Sequence, residues 1–469
     1  MPKLLRTNRF TQLSLLALSL LAAHSAQALD LLETWERTRA HDPQMAVVQA
    51  TRSASEALRT QATALWRPQV LASAATGLSS ANSDSTGAQF AAPALGFAPS
   101  SGVSFATSIH QGTATRWSLS AKQALYNPER NAQQAQLEKQ ADVTVLQADL
   151  AQQNLMLTTV QRYFDLVLAE RKLAVTQKQY QAITRAWTEA KDRFALGDAP
   201  ITDTHEAAAR ARGVQAQLLA TDSELQMARL ILAQATDLSP EGLKIMSPQT
   251  DEMVGVDTGA LPDAASLQAQ AQDRNLGLRL QQARLAMAEQ ETRKHSLSAS
   301  ATLDAVAVAS RDRLSGNGDF GAASNTQNQQ MIGLSFSMPL YTGGWRTGKL
   351  QESLSAQNQA EAELALLRLQ VGQQTQMRWL ALHNGQAQVT ALSEGLTASR
   401  ARLEATRLGR QVGDRTTQDL LNAETDAANA ELSLLSSQLQ LLLSRLQLDA
   451  LTGDLSIDSL QLVNAKLMN

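Results

Sequence analysis

Residues 194–203 read FALGDAPITD and residues 410–419 read RQVGDRTTQD. Gly197 is answered by Gly413, Asp198 by Asp414 and Asp203 by Asp419, each 216 positions later. A glycine closing one long helical run just ahead of another suits the left-handed residue that ends a helix. Pro200 fits the first turn of the return helix, where its missing N–H costs little. Two such turns at one spacing imply an internal duplication, and a duplication dictates architecture.

Other anchors lie on either side. Ala124-Leu125-Tyr126-Asn127 aligns with Pro339-Leu340-Tyr341-Thr342 at an offset of 215, and the stretch around Asp42 aligns with that around Asp273 at 231. The change of offset places about sixteen extra residues in the first half. The Gly/Ser/Ala-rich stretch 79–114 reads as a loop longer than its counterpart near 310–330. Each half then reads as helix, strand, loop, strand, very long helix, tight turn and return helix.

The strands carry the functional information. Ile332, Leu334, Phe336, Met338 and Leu340 alternate with Gly333, Ser335, Ser337 and Pro339. Leu297, Ala299, Ala301, Leu303 and Ala305 alternate with small polar residues, and Trp117, Leu119, Ala121 and Leu125 oppose Arg116, Ser118, Ser120 and Lys122. Period two means one apolar and one wet face. The stretch 70–78 is the weakest of the four. Strands of about ten residues suit a tilted crossing of a bilayer. Four cannot close a barrel, and open edges are not tolerated in lipid, so several copies must complete the cylinder.

The long helices set a second dimension. Residues 129–195 contain no glycine or proline, which allows about 100 Å of helix. The twin, 345–411, carries Gly348, Gly372, Gly385, Gly395 and Gly409, where a bend is expected to be tolerated. Return helices cover 201–236 and 416–451, and helices over 42–66 and 273–295 precede the first strand of each half. Ala211, Val214, Leu218, Thr221, Leu225, Ala228 and Leu232 form one seam; Ala428, Leu432, Leu435, Leu439, Leu442 and Leu446 form another, beside a separate row of Leu434, Leu441 and Leu448. A helix with two apolar seams belongs in a wall or ring.

Composition narrows the class further. Lys3, Arg6 and Arg9 precede the apolar run LSLLALSLLAA (13–23) and the small-x-small site Ala26-Gln27-Ala28, so residues 1–28 read as a secretory signal peptide. Without them 38 basic residues face 44 acidic ones, a net charge near −6, and no basic patch invites nucleic acid. There is no cysteine, which excludes disulfides, catalytic thiols and a lipid anchor on a thiol. No mature segment is a transmembrane helix: LQLLLSRLQL from Leu439 is broken by Arg445. Aromatic residues make up 4 % of the chain, a bias of long packed helices rather than one globular core.

The signal peptide, the duplicated unit, PLYTGGWRTG (339–348), the paired turns at Gly197 and Gly413 and the closing LTGDLSIDSL (451–460) together resemble the TolC-like outer membrane efflux proteins. The resemblance spans essentially the whole mature chain. It implies a mainly α fold with a β-barrel part: a homotrimer whose four strands per protomer make a twelve-stranded barrel in outer membrane lipid, continued by a long periplasmic α-helical barrel. Residues 29–260 would be the first repeat and 261–469 the second, with belt segments at 237–266 and 452–469.

The function it implies is an exit duct. Substrate arrives from an inner-membrane transporter, of the ABC or RND type, through a periplasmic adaptor, and leaves the cell unchanged. Type I protein secretion is the first expectation and multidrug efflux the second. The turns carrying Gly197, Asp198, Gly413 and Asp414 would meet the adaptor. Thr202 and Asp203 match positions that tether the closed entrance, Arg415 matches their partner, and Asp419 the constriction carboxylate. Asn422 stands where a second aspartate is usual, so one charged ring is expected rather than two; Arg410 replaces a usual aromatic residue.

Other classes fare worse. Asp203 and Asp419 would also serve simply as favourable charges at a helix N-terminus. The histidines (24, 41, 110, 205, 295 and 383) show no metal-ligand spacing, and there is no GxSxG, phosphate loop or dinucleotide fingerprint, so no catalytic residue, metal or cofactor is expected. A periplasmic coiled-coil adaptor would explain the helical seams but not the strands.

Overall fold

The computed structural model describes residues 29–92, 96–241, 243–246, 262–319 and 321–468. The expected signal peptide, the expected boundary between repeats and residues 247–261 of the first belt segment lie outside the described residues. Helices α1 (Leu31–His41) and α2 (Pro43–Ala64) lead to strands β1 (Gln69–Ala92) and β2 (Phe97–Tyr126), then to α3 (Pro128–Ala195) and α4 (Ile201–Thr236). The order recurs as α5 (Ala264–Arg274), α6 (Leu276–Ser296), β3 (Thr302–Gly318), β4 (Gly321–Ser337), α7 (Trp345–Gln411) and α8 (Thr417–Thr452), closed by α9 (Ile457–Met468).

The chain divides into two units, one of residues 1–54, 143–282 and 362–469, the other of residues 55–142 and 283–361. The first is helical. Its core joins Trp35, Leu155, Tyr163, Leu166, Leu232 and Leu382 to the leucines of α8. Leu435, Leu439, Leu442 and Leu446 are buried, and so are Leu434, Leu441 and Leu448, so both seams read on this helix are covered. A second cluster packs Ile183, Ala186 and Ala190 against Ala207, Ala211, Val214 and Leu421. Small side chains there let the helices approach closely.

The first described residues and the C-terminal helix are stitched within this unit. Leu29 bridges Ile245, its N–H donating to the Lys244 carbonyl at 2.7 Å. Asp30 caps α1 by accepting the Glu33 N–H at 2.7 Å, and the Asn464 side chain on α9 donates to it at 3.0 Å. The buried Tyr163 hydroxyl donates to the Met246 carbonyl at 2.9 Å, and burial pushes its pKa well above the ordinary tyrosine value.

The second unit holds one antiparallel sheet in the order β1-β2-β3-β4. Its register aligns the faces read from the sequence. Val70 and Ala72 pair with Ala121 and Leu119, these with Ala307 and Ala309, and Ala307 with Ile332. The opposite face carries Ser73 and Ser118, bonded at 2.8 Å, Lys122 paired with the buried Asp304 at 2.9 Å, and Arg116 paired with Asp312. On β4 the apolar face is bare: Ile332 is 91 % exposed and Leu334 67 %. Among the described residues both outer strands, β1 and β4, have an unpaired edge.

Several expected boundaries change. The strands are not about ten residues long: β1 has 24, β2 has 30, and β3 and β4 have 17 each. The stretches 79–114 and 310–330 are mostly paired strand rather than loop, with a turn at Asp319 in the second hairpin. Backbone pairing needs no side chain, so Gly/Ser composition does not forbid it. The apolar alternation that reveals a strand vanishes where both faces meet water.

Residues 297–301 precede β3 instead of opening it, because the Leu297 N–H still donates to Arg293 and extends the last turn of α6. Strand β4 stops at Ser337, short of Pro339, which offers the ladder no N–H. The pre-strand helices are shorter than expected, and α1 and α5 precede them as separate segments. Helix α7 is continuous despite its glycines; a Cβ on Gly385 would lie 2.9 Å from Leu441, so that glycine serves close packing.

Candidate gate at the paired helix turns

The two turns end their first helices identically. Gly197 (φ 78°) donates its N–H to the Phe194 carbonyl at 3.0 Å and Asp198 to Arg193 at 2.8 Å. Gly413 (φ 82°) donates to Arg410 at 3.1 Å and Asp414 to Gly409 at 2.8 Å. This is the Schellman arrangement, in which a left-handed glycine lets two N–H groups reach back to orphan carbonyls. Leu196 and Val412, just before the glycines, are 83 % and 81 % exposed.

The return helices begin differently. Pro200 leads α4 without a side-chain cap. Thr416 leads α8 with a capping box: its hydroxyl accepts the Asp419 N–H at 3.1 Å, and Asp419 Oδ2 accepts the Thr416 N–H at 3.0 Å and its hydroxyl at 2.9 Å. The Thr416 backbone N–H, then its hydroxyl, then Arg415 and Arg402 hold the Asp419 carboxyl below its ordinary pKa. Asp419 therefore has a structural task as well as a charge. Its partner is legible as T-x-x-D in RTTQD, a capping signature not used in reading the site.

Within one chain, Arg415 makes no hydrogen bond or ion pair with Thr202 or Asp203 among the described residues. Its side chain lies over Gly409, where an added Cβ would come within 2.8 Å of it. Thr202 is exposed, and Asp203 is half-buried in the first turn of α4, its N–H donating to the Pro200 carbonyl at 3.2 Å.

Two contacts absent from the sequence reading tie the hairpins together near the turns. Arg410, 7 % exposed, reaches Glu189 of α3 at 2.9 Å, and Arg210 of α4 donates to Asn422 of α8 at 2.8 Å. Further along, Arg171 meets Glu431 at 2.6 Å, and within the second hairpin Arg407 meets Glu424 at 2.6 Å and Arg402 meets Asp426 at 2.7 Å. No sequence motif flags Arg410–Glu189, because its partners stand far apart along the chain. Among the described residues no cluster of metal-ligating side chains occurs.

Long paired helices, glycine-capped hairpin turns and a four-stranded sheet with one bare apolar face define an outer-membrane channel subunit. The chain belongs to the outer membrane efflux protein family, which matches it over residues 35–237 and 267–454. It is 26 % identical to the outer membrane protein TolC of Vibrio cholerae over 410 residues, 84 % of each chain. It is 25 % identical to the outer membrane efflux protein BepC of Brucella suis over 59 % of this chain and 58 % of that one, and 24 % identical to the proteases secretion protein PrtF of Dickeya chrysanthemi over 58 % of each. Among solved structures, its fold matches the Vibrio cholerae outer membrane protein VceC with a TM-score of 0.69 at 16 % identity, covering 91 % of this chain and 97 % of that one. The protein is thus an outer membrane efflux channel of the kind that serves tripartite export systems. It lies in the outer membrane, extends into the periplasm and is not an enzyme.

Proposed function

We propose that three copies complete a twelve-stranded barrel and a helical tunnel, forming the exit duct of a type I secretion system. The observation that carries this reading is the sheet: two unpaired edges, one lipid-suited face and one face of serines and ion pairs. In hydrocarbon an unpaired edge leaves a row of unsatisfied N–H and C=O groups, so β1 of one copy pairs with β4 of the next. Three such junctions close the cylinder with its wet face inward.

The paired turns are then the periplasmic entrance. The bare Leu196 and Val412 beside Gly197, Asp198, Gly413 and Asp414 offer the adaptor an apolar foothold. Thr202, Asp203 and Arg415, unbonded to one another within a chain, are placed for contacts between copies, and three Asp419 carboxylates form a cation-attracting ring. Asn422, held by Arg210, adds no second ring. The adaptor opens the entrance by binding the splayed tips more tightly than the closed ones.

An inner-membrane ABC transporter is the partner of the secretion reading, supported by the likeness to the proteases secretion protein PrtF. The likeness to the efflux protein BepC supports the alternative, multidrug efflux with an ABC or RND transporter. Membrane fractionation tests the duct itself. The mature chain is expected in the outer membrane as a heat-sensitive trimer that conducts ions in planar bilayers; a water-soluble monomer that stays in the periplasm without detergent overturns the proposal.

A further inference from the structure

Two arginines sit on the lipid-suited face of the sheet. Arg311 pairs with Trp117 on one side and Asn328 on the other; Arg313 pairs with Thr115 and Thr326. Direct pairing puts them on the same face as Leu119, Ala307 and Ile332, and both are exposed. The next row outward, Thr113, Ser315 and Ser324, is polar too.

Their surroundings contrast with those of the arginine on the other face. Arg116, one residue before Trp117, is paired with Asp312. No carboxylate shares the rows of Arg311 and Arg313, and neither guanidinium has a protein partner among the described residues. Two uncompensated cations about 7 Å apart along a strand therefore point away from the wet face.

Their depth says what they meet. Strand β3 leaves the helical part at Thr302 and turns at Asp319, so Arg311 lies nine residues along it. That is about 30 Å of strand, or roughly 25 Å along the membrane normal after tilt, the height of an apolar barrel band. Trp117 stands at that rim, as aromatic girdle residues do, and the exposed Phe336, Tyr341 and Trp345 lie at or just beyond the other end of β4. An arginine in mid-hydrocarbon is costly, whereas at the headgroup level its planar fork binds a phosphate through two parallel hydrogen bonds.

We propose that Arg311 and Arg313, with Trp117, Asn328 and Thr326 beside them, form a binding site for the phosphate groups of outer-leaflet glycolipid. The site rests on the duct reading, since it requires this face of the sheet to meet lipid. It fixes the barrel's depth and supplies an annular lipid the channel keeps on extraction.

Native mass spectrometry of the detergent-solubilised full assembly, titrated with hexa-acylated lipid A carrying both phosphates, provides the test. Wild type is expected to retain the glycolipid, and R311Q/R313Q to bind it about tenfold more weakly, two charge-assisted contacts being lost. Dephosphorylated lipid A should bind wild type as weakly, and millimolar inorganic phosphate should not displace the glycolipid. Equal retention by the double variant, indifference to dephosphorylation, or displacement by free phosphate overturns the site. If R311Q/R313Q fails to assemble, R313Q alone gives the same reading from the outer row. A wild-type chain that never forms the heat-sensitive trimer sinks the duct; a normal trimer with unaltered lipid retention in the variant sinks only this site.

Discussion

The two helix turns end alike and begin unlike. Both close a helix of 68 or 67 residues with a left-handed glycine and the same pair of back-reaching N–H bonds. Only the second restarts with a side-chain cap, the reciprocal Thr416–Asp419 pair. The first relies on Pro200, whose fixed φ prepares the chain for the helix and whose carbonyl accepts the Asp203 N–H, but which offers no side-chain cap. Duplication thus preserved the reversal while the two restarts diverged. The second turn also carries Arg410, clamped onto Glu189, and Asn422, clamped by Arg210, so it is tied both to itself and to the neighbouring hairpin.

The largest effect in this comparison belongs to the clamp. Glu189→Ala leaves the Arg410 guanidinium buried without its partner; because Glu189 itself is half in solvent, about 1–2 kcal/mol of local stability is expected to be lost. Hydrogen exchange of the last turns of α7 should quicken accordingly while the first turns of α4 stay unchanged. Equal quickening in both hairpins, or none, breaks the asymmetry.

Thr416→Ala comes next. Losing the cap should cost about 1 kcal/mol, read as roughly fivefold faster exchange in the first turn of α8. Pro200→Ala in the equivalent place should move the start of α4 far less, since no cap bond exists there to lose. Similar responses at both positions would mean the capping box contributes nothing in solution.

Asp419→Asn is the mildest for stability and the most telling for transport. An amide oxygen still accepts from Thr416, so assembly should persist, whereas block by polyvalent cations in single-channel recordings should weaken as the charged ring disappears. Unchanged block removes Asp419 from the pore. The same carboxylate has its own pH signature. Its folded pKa is lowered, so its contribution is present above the ordinary aspartate value near 4 and lost as pH falls through the lower folded value. Exchange in the first α8 turn, corrected for intrinsic chemistry, should therefore quicken on acidification below pH 4, and Asp419→Asn should abolish that dependence.

What could be read without coordinates was periodic or local. The 216-residue echo of glycine and aspartate, the alternation in Ile332–Leu334–Phe336 and the two leucine rows of α8 each depend only on spacing along one element. Such spacing dictates which side chains share a face. The helix bounds over 345–411 and 201–236 followed because glycine and proline mark backbone conformations that few other residues adopt.

The chain's own order therefore determined a duplicated, long-helical, partly stranded protein with one apolar and one wet strand face. Tertiary structure alone decided that the Gly/Ser stretches continue as paired strands, since pairing is a property of two backbones. It alone turned Arg410 onto Glu189 and Arg210 onto Asn422, pairs separated by more than 200 residues. It alone set Arg311 level with Trp117 on the apolar face of the sheet. Register and cross-helix contact are distances in space, which no periodicity within a single segment encodes.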